Sequence, residues 1–224
     1  MLNVITIDGP SGVGKGTIAQ WLSKELDWAL LDSGSLYRLT ALAAMRQTIS
    51  LDDAPRLSEL AKNLNVHFVS DASGLKVFLD NEEVNAAIRT ESTGLAASKV
   101  ATIGSVREAL LDRQRQFAAD QSLVCDGRDM GTVVFPQAIL KLFITASVEE
   151  RANRRYKQLI EQGVSANIVE ITESLSARDK QDRERKHAPL CAADDAITID
   201  TSNLSINEVK SLVKGLLEQK GLSN

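Results

Sequence analysis

Cysteine, histidine, aromatic side chains and surplus positive charge are all scarce in this chain. Its two cysteines, Cys125 and Cys191, lack metal-site or redox spacing, and its two histidines, His67 and His187, form no metal pair. Cys125 follows the apolar residues Leu123 and Val124, so it reads as a buried core thiol in a reduced, cytoplasmic compartment. Aromatic residues make up 4%, and 26 Lys+Arg against 30 Asp+Glu leave a net charge of −4. With no Lys/Arg-rich tail, general nucleic-acid binding is excluded. No apolar stretch is long enough to span a bilayer, and Met1–Asp8 is too short for a signal peptide. There are no internal repeats and no low-complexity segments. A length of 224 residues fits one soluble domain with an insertion, expected to act as a monomer.

What is present begins at once. Residues 9–17 read GPSGVGKGT after an apolar run, Leu2–Ile7, and Asp8. A strand that delivers a glycine-rich loop into a helix near Lys15 is a phosphate-binding P-loop. Its amide N–H groups and the helix N-terminus favour a triphosphate. Gly9, Pro10, Ser11, Gly12, Val13, Gly14, Lys15, Gly16 and Thr17 are therefore expected to bind nucleotide. Lys15 supplies a point charge. Gly16 stands where a hydroxyl residue usually follows the lysine, and the hydroxyl comes one residue later, at Thr17.

Further apolar runs, Trp28–Leu31, Leu123–Cys125, Ile139–Ile144 and Ala196–Ile199, end in polar residues and alternate with helix-period segments. Ile18, Leu22 and Leu26 share one helical face; Val106, Leu110 and Gln114 share another. Val209, Leu212, Val213, Leu216 and Leu217 make a final amphipathic helix. The pattern predicts an α/β fold with a five-stranded parallel sheet covered by helices and ligands beyond the carboxyl ends of its strands. Residues 64–90 break the rhythm with a small antiparallel meander turning at DASG and DNEE. It is either a decorative hairpin or a lobe that closes over substrate.

Three clusters carry candidate chemistry. In DSGSLYR, Ser33 is placed to cap a helix, and Tyr37 and Arg38 follow one turn on. Arg38 reads either as a surface arginine or as a clamp for a second anion. DGRDMG ends the third strand with Asp126, Arg128 and Asp129; Asp126 resembles the acid that orients hydrated magnesium in P-loop enzymes. Arg178, Asp182 and Arg185 fall on one helical face. There, i,i+4 pairs Asp179–Arg183 and Asp182–Lys186 would make an ordinary solvated surface. Arg151, Arg154 and Arg155 form another basic face, and the two arginine-rich helices flanking Gln162–Asn167 suit a lid. A hydroxyl acceptor needs a carboxylate base, whereas a phosphate acceptor is already anionic and needs cations. The surplus of arginine favours the phosphate acceptor.

GPSGVGKGT, DSGSLYR, DGRDMGTVVFP and RDKQDRERKHAPL together resemble the bacterial cytidylate kinases over essentially the whole chain. Two departures are small: Ser35 stands where alanine is common, and Gln137 where an acid is common. The resemblance implies a P-loop nucleoside-monophosphate-kinase core over 1–224, with a β-rich insertion at 64–90 and a short lid with its flanking helices at 147–190. It implies phosphorylation of CMP and dCMP with ATP and Mg2+. Lys15, Arg128 and Arg185 would be catalytic, and Arg154 would join the P-loop in holding ATP. Ser33, Tyr37 and Arg38 would line the monophosphate site; Arg38, Arg128 and Arg185 would hold the acceptor phosphate. Arg178 and Asp182 would meet the sugar, and Ser98, Arg107 and Asp129 would read the cytosine. Two alternatives stay open: a shikimate-type small-metabolite kinase, and a nucleotide-dependent switch. The latter lacks an N-K-x-D base-recognition motif.

Overall fold

The computed structural model describes residues 3–71 and 74–222. Two compact units emerge: Met1–Asp32 with Phe117–Asn224, and Ser33–Gln116.

The first unit is built on a five-stranded parallel sheet. Its strands are β1 (Val4–Asp8), β2 (Ala29–Asp32), β6 (Leu123–Gly127), β7 (Leu140–Thr145) and β8 (Ile197–Asp200), numbered along the whole chain, in the order β2-β6-β1-β7-β8. Every residue of β1 is buried, Thr6 and Asp8 included, which explains why Val4, Ile5 and Ile7 do not alternate with surface residues. Helix α1 (Lys15–Leu26) lays Ile18, Ala19, Leu22 and Leu26 on this sheet. Helix α9 (Ile206–Gln219) adds Val209, Val213 and Leu217, while Leu212, expected on its apolar face, is 50% exposed. Ser205 starts α9 with a reciprocal capping box to Glu208. Among the described residues, no helix is long and apolar enough to cross a membrane.

Each of the five strands runs at least one residue past its apolar stretch. The added residues include Asp8, Asp32, Asp126 and Asp200. The chain thus sets carboxylates at the carboxyl ends of four strands, and two of them, Asp8 and Asp126, stand at the centre of the sheet, where β1 pairs with β6 on one side and β7 on the other. That is where a doubly wound sheet changes direction and where its ligands bind.

The second unit is mostly helical: α2 (Ser33–Arg46), α3 (Ala54–Lys62), α4 (Asn85–Arg89), α5 (Glu91–Val100) and α6 (Gly104–Gln116). It carries the expected meander as β3 (Val66–Asp71), β4 (Gly74–Leu79) and β5 (Glu82–Glu83), a separate antiparallel sheet. Asp80 and Asn81 both have positive φ, 50° and 68°, so the DNEE turn is a tight two-residue hairpin loop. Ala72 and Ser73 of the DASG turn lie outside the described residues. The compact unit extends well beyond 64–90 at both ends.

Gly9 has closer surroundings than the other glycines of the first unit. It has φ +146°, and a Cβ there would lie 2.0 Å from the Ile144 carbonyl oxygen on β7. Gly14, at φ +90°, has open space around it. Gly9→Ala is therefore expected to cost on the order of 3 kcal/mol or more, because backbone must move. Gly14→Ala should cost only the strain of its backbone, about 1–2 kcal/mol. Urea denaturation of both variants checks this ordering, and equal midpoints would contradict it.

Candidate active site

The P-loop leaves β1 and enters α1 at Lys15, as expected. The Lys15 ammonium is buried, donates to the Pro10 carbonyl at 2.8 Å and stands 3.8 Å from Asp126 Oδ1. Burial lowers Lys15 to about 8; the nearby positive charge of Arg128 adds to that, while Asp126 and Asp8 oppose it. Gly16, the residue that displaces the expected hydroxyl, passes beside Asp126: a Cβ there would be 3.4 Å from Oδ2. Thr17 is exposed.

Asp8 plays a part that the sequence reading missed. Its carboxylate accepts from the Met130 amide at 2.9 Å and the Gly131 amide at 2.7 Å. These amides open a π-helical turn, Met130–Val134, immediately after Asp129. Asp8 thereby fixes the segment that presents Arg128 and Asp129. Burial lifts Asp8 to about 6 although both amides pull it down. Asp126 is also raised to about 6 by burial, against the pull of Lys15. An acid closing a largely apolar strand just before a P-loop was the available signal.

Arg128 donates its Nε to Asp182 Oδ2 at 2.8 Å and its Nη1 to the Gly127 carbonyl at 3.2 Å. Burial opposes its charge, yet Asp182 and then Asp126 hold its pKa above the usual arginine value. Asp182 answers in kind: burial would raise it, but Arg128, then Arg185 and Arg178, bring it below the carboxylate norm. Arg185 lies 3.7 Å from Asp129 Oδ1 and 3.8 Å from Asp182 Oδ1, and its Nε donates to the Ala188 carbonyl. Lys15, Arg128, Asp129, Asp182 and Arg185 therefore belong to one electrostatic cluster, with Arg178 beside Asp182.

The one-face reading of Arg178, Asp182 and Arg185 needs correction. Helix α8 (Ile168–Glu184) ends before Arg185, which has extended backbone at φ −61°, ψ 140°. Leaving the helix turns its side chain toward Asp129. The expected surface pairs of Asp179 and Asp182 give way as well. Both acids are buried and are taken by arginines from elsewhere: Asp182 by Arg128, and Asp179 by Arg151. Arg151, Arg154 and Arg155 fall on one helical face, as expected, but in different surroundings. Arg151 is buried in α7 (Val148–Glu161), Arg154 donates to the Thr201 carbonyl at 2.6 Å and to Glu150, and Arg155 reaches Gln158. Helices α7 and α8 are joined by residues 162–167, nearly all exposed.

The second unit gathers the remaining candidates. Helix α2 offers Ser33, Tyr37 and Arg38. Ser33 lies inside the helix rather than capping it, and its hydroxyl donates to Gln114 Oε1 of α6 at 2.8 Å. Arg107 of α6 sits over the Tyr37 ring at 5.3 Å and donates to the Ala101 carbonyl. Arg38 donates to the Ile88 carbonyl at 2.6 Å, and its guanidinium lies across Gly94 of α5, where a Cβ would come within 3.1 Å. Ser98, one turn along α5, donates to the Gly94 carbonyl. These five residues come from three helices of one unit. His67, read as the exposed face of a strand, is exposed and stacks on Phe78 at 4.7 Å. Cys125 is buried, as expected, and Cys191 is exposed.

Among the described residues no cluster of three metal-binding side chains occurs. Mg2+ in phosphoryl-transfer sites takes one or two protein oxygens and the substrate phosphates, so it requires no such cluster. The Asp126 carboxylate next to Lys15 and Gly16 is a hard-oxygen ligand of that kind.

A family model described as cytidylate kinase matches residues 5–219. A cytidylate kinase of Aeromonas salmonicida (strain A449) is 50% identical over 220 residues, covering 98% of this chain and 96% of that one. A cytidylate kinase of Nitrosococcus oceani is 54% identical over 208 residues, 92% of each chain. Among solved structures, an uncharacterized protein from Eubacterium ventriosum superposes with a TM-score of 0.52 at 11% identity, covering 98% of this chain and 99% of that one. That likeness is one of fold alone.

The buried acids set a pH signature. Asp8 and Asp126 have folded pKa values of about 6 against an ordinary 3.8. Their protonated forms suit the fold, so their contribution to stability is full at low pH and is lost as pH rises through about 6. Asp126→Asn should therefore gain stability relative to the unsubstituted protein between about pH 4 and pH 6. Urea denaturation across that window reads the difference, and a pH-independent difference would refute it.

Proposed function

The chain belongs to the cytidylate kinase family, and from that premise we propose that it transfers the γ-phosphoryl group of ATP to CMP or dCMP. The observation that carries this reading is the pairing of two cationic sets in one unit. Lys15 lies in a P-loop, and Arg128 and Arg185 are gathered beside it by Asp182 and Asp129. One set suits a triphosphate and the other a second phosphate.

The acid bonded to Arg128 fits the same chemistry. Asp182 is held below its usual pKa by Arg128, so it is a poor proton acceptor. A hydroxyl acceptor would need a base there; a monophosphate oxygen needs none. In the proposed reaction Lys15 and the arginines offset charge that builds on the transferring phosphoryl group. Lys15, at about 8 in the free protein, becomes a firmer cation once an anionic triphosphate lies against it. Thr17 and Asp126 would hold Mg2+, which supplies charge neutralisation across the donor phosphates.

Residues of the P-loop from Gly9 to Thr17, with Arg154, are assigned to ATP. Ser33, Tyr37, Arg38, Ser98, Arg107, Arg128, Asp129, Arg178, Asp182 and Arg185 are assigned to CMP. Cytosine offers an amino donor at C4 and acceptors at N3 and O2, which a carboxylate, a serine and an arginine can meet. Within this scheme residues 147–190 act as a lid and 64–90 as part of the monophosphate lobe. The protein is proposed to work as a cytoplasmic monomer.

Release of ADP from ATP and Mg2+ should respond to CMP and dCMP, and not to shikimate. A response to shikimate, or turnover indifferent to any acceptor, would overturn the reading. Lys15→Ala should act mainly on kcat. Asp129→Ala should reduce the preference for CMP over UMP by roughly 10-fold or more, since a mispaired buried polar group costs about 1–3 kcal/mol. Arg185→Ala should lower kcat/KM for CMP more than for ATP, as steady-state kinetics with each substrate varied will read.

A further inference from the structure

Arg151 was not assigned to either substrate, yet it is among the most buried charged groups of the chain, at 3% exposure. Its guanidinium reaches three elements. Nε donates to the Ala146 carbonyl just past β7 at 3.1 Å, and Nη1 donates to the Ser11 carbonyl in the P-loop, also at 3.1 Å. Nη1 and Nη2 grip both oxygens of Asp179 on α8, at 3.1 and 2.5 Å. Gly12 runs alongside the Arg151 side chain: a Cβ there would lie 3.4 Å from the Arg151 Cβ, an ordinary van der Waals contact.

The contact with Ser11 matters because of the peptide it belongs to. In a trans peptide the carbonyl and the next residue's N–H point in opposite directions. Drawing the Ser11 carbonyl toward Arg151 aims the Gly12 N–H the other way, and Gly12 is exposed. A phosphate that accepts from that N–H polarises the peptide and strengthens its carbonyl as an acceptor for Arg151. Arg151 in turn holds Asp179. Three residues along the same helix, Asp182 holds Arg128 and lies near Arg185. One turn of α8 thus carries both grips.

We propose that Arg151 and Asp179 are a positioning pair that couples phosphate binding in the P-loop to the acceptor arginines through α8. The pair touches neither reacting group; it makes occupancy of one site favour the other. This rests on the assignment of Arg128 and Arg185 to the acceptor.

The test is binding linkage, read without turnover. Calorimetric titration of CMP is made with and without a saturating non-hydrolysable ATP analogue and Mg2+. In the unsubstituted protein the analogue should tighten CMP by about 5-fold or more, the lower end of ordinary coupling between sites. Asp179→Asn and Arg151→Lys should bring that ratio toward one, whatever happens to each affinity alone. A merely structural role would alter stability and leave the ratio in place. Breaking a buried pair can prevent folding, so the double variant Arg151→Met/Asp179→Leu, which removes both charges, carries the same test. An unchanged ratio in the folded variants overturns the proposal, as does a ratio of one in the unsubstituted protein. Those outcomes leave the kinase reading intact. Failure of CMP to bind the unsubstituted protein at all would remove both.

Discussion

Charge held out of water governs the shape of the first unit. Asp8, Asp126, Lys15, Arg151, Asp179 and Asp182 all lose hydration at or near the carboxyl ends of the parallel strands. A buried ion is tolerable only with opposite charge or aligned hydrogen bonds around it. Each therefore recruits partners distant in the chain: Asp8 takes the Met130 and Gly131 amides, Asp182 takes Arg128, and Asp179 takes Arg151. The loops after β1, β6 and β7 are tied together by this requirement as well as by the apolar packing of Val13, Met130 and Ala146. Asp8 and Asp126 keep raised pKa values and Lys15 a lowered one, so the site is electrostatically tense without its substrates. A phosphate against Lys15 and a cation against Asp126 would relieve that tension, which turns a stability cost into binding energy.

Much of this was legible in the sequence because it follows from local pattern. The five apolar runs, the glycine spacing at 9–16 and the alternation at 66–79 specify strands, loop and meander through side-chain periodicity alone. Strand ends were less legible. A strand stops where its hydrogen-bonding partners stop, not where hydrophobicity does, so Asp8, Asp32, Asp126 and Asp200 were left outside. Leu212 was misplaced because a helix carries its apolar stripe only as wide as the surface it meets.

The ion pairs were the least legible part. Asp179–Arg183 and Asp182–Lys186 satisfy every local rule for a solvated helix, and local rules are silent on an arginine 28 residues away. Arg185 reached Asp129 because the helix ended one residue earlier than its periodicity implied. The five candidates on α2, α5 and α6 show the opposite case. Ser98 and Arg107 carry no local signal, and only the resemblance pointed to them, yet the fold brings both close to other candidates of the same unit.

The two cysteines give the molecule an internal clock for its own opening. Cys125 lies in the middle of β6, fully buried, with its thiol pushed well above the usual range by burial and by Asp8 and Asp126. Cys191 is exposed. An alkylating reagent meets one thiol at the rate of surface chemistry and the other only after the central sheet parts. The ratio of the two labelling rates is then a direct measure, in a single sample and without denaturant, of how often the strands that frame the phosphate loop come apart.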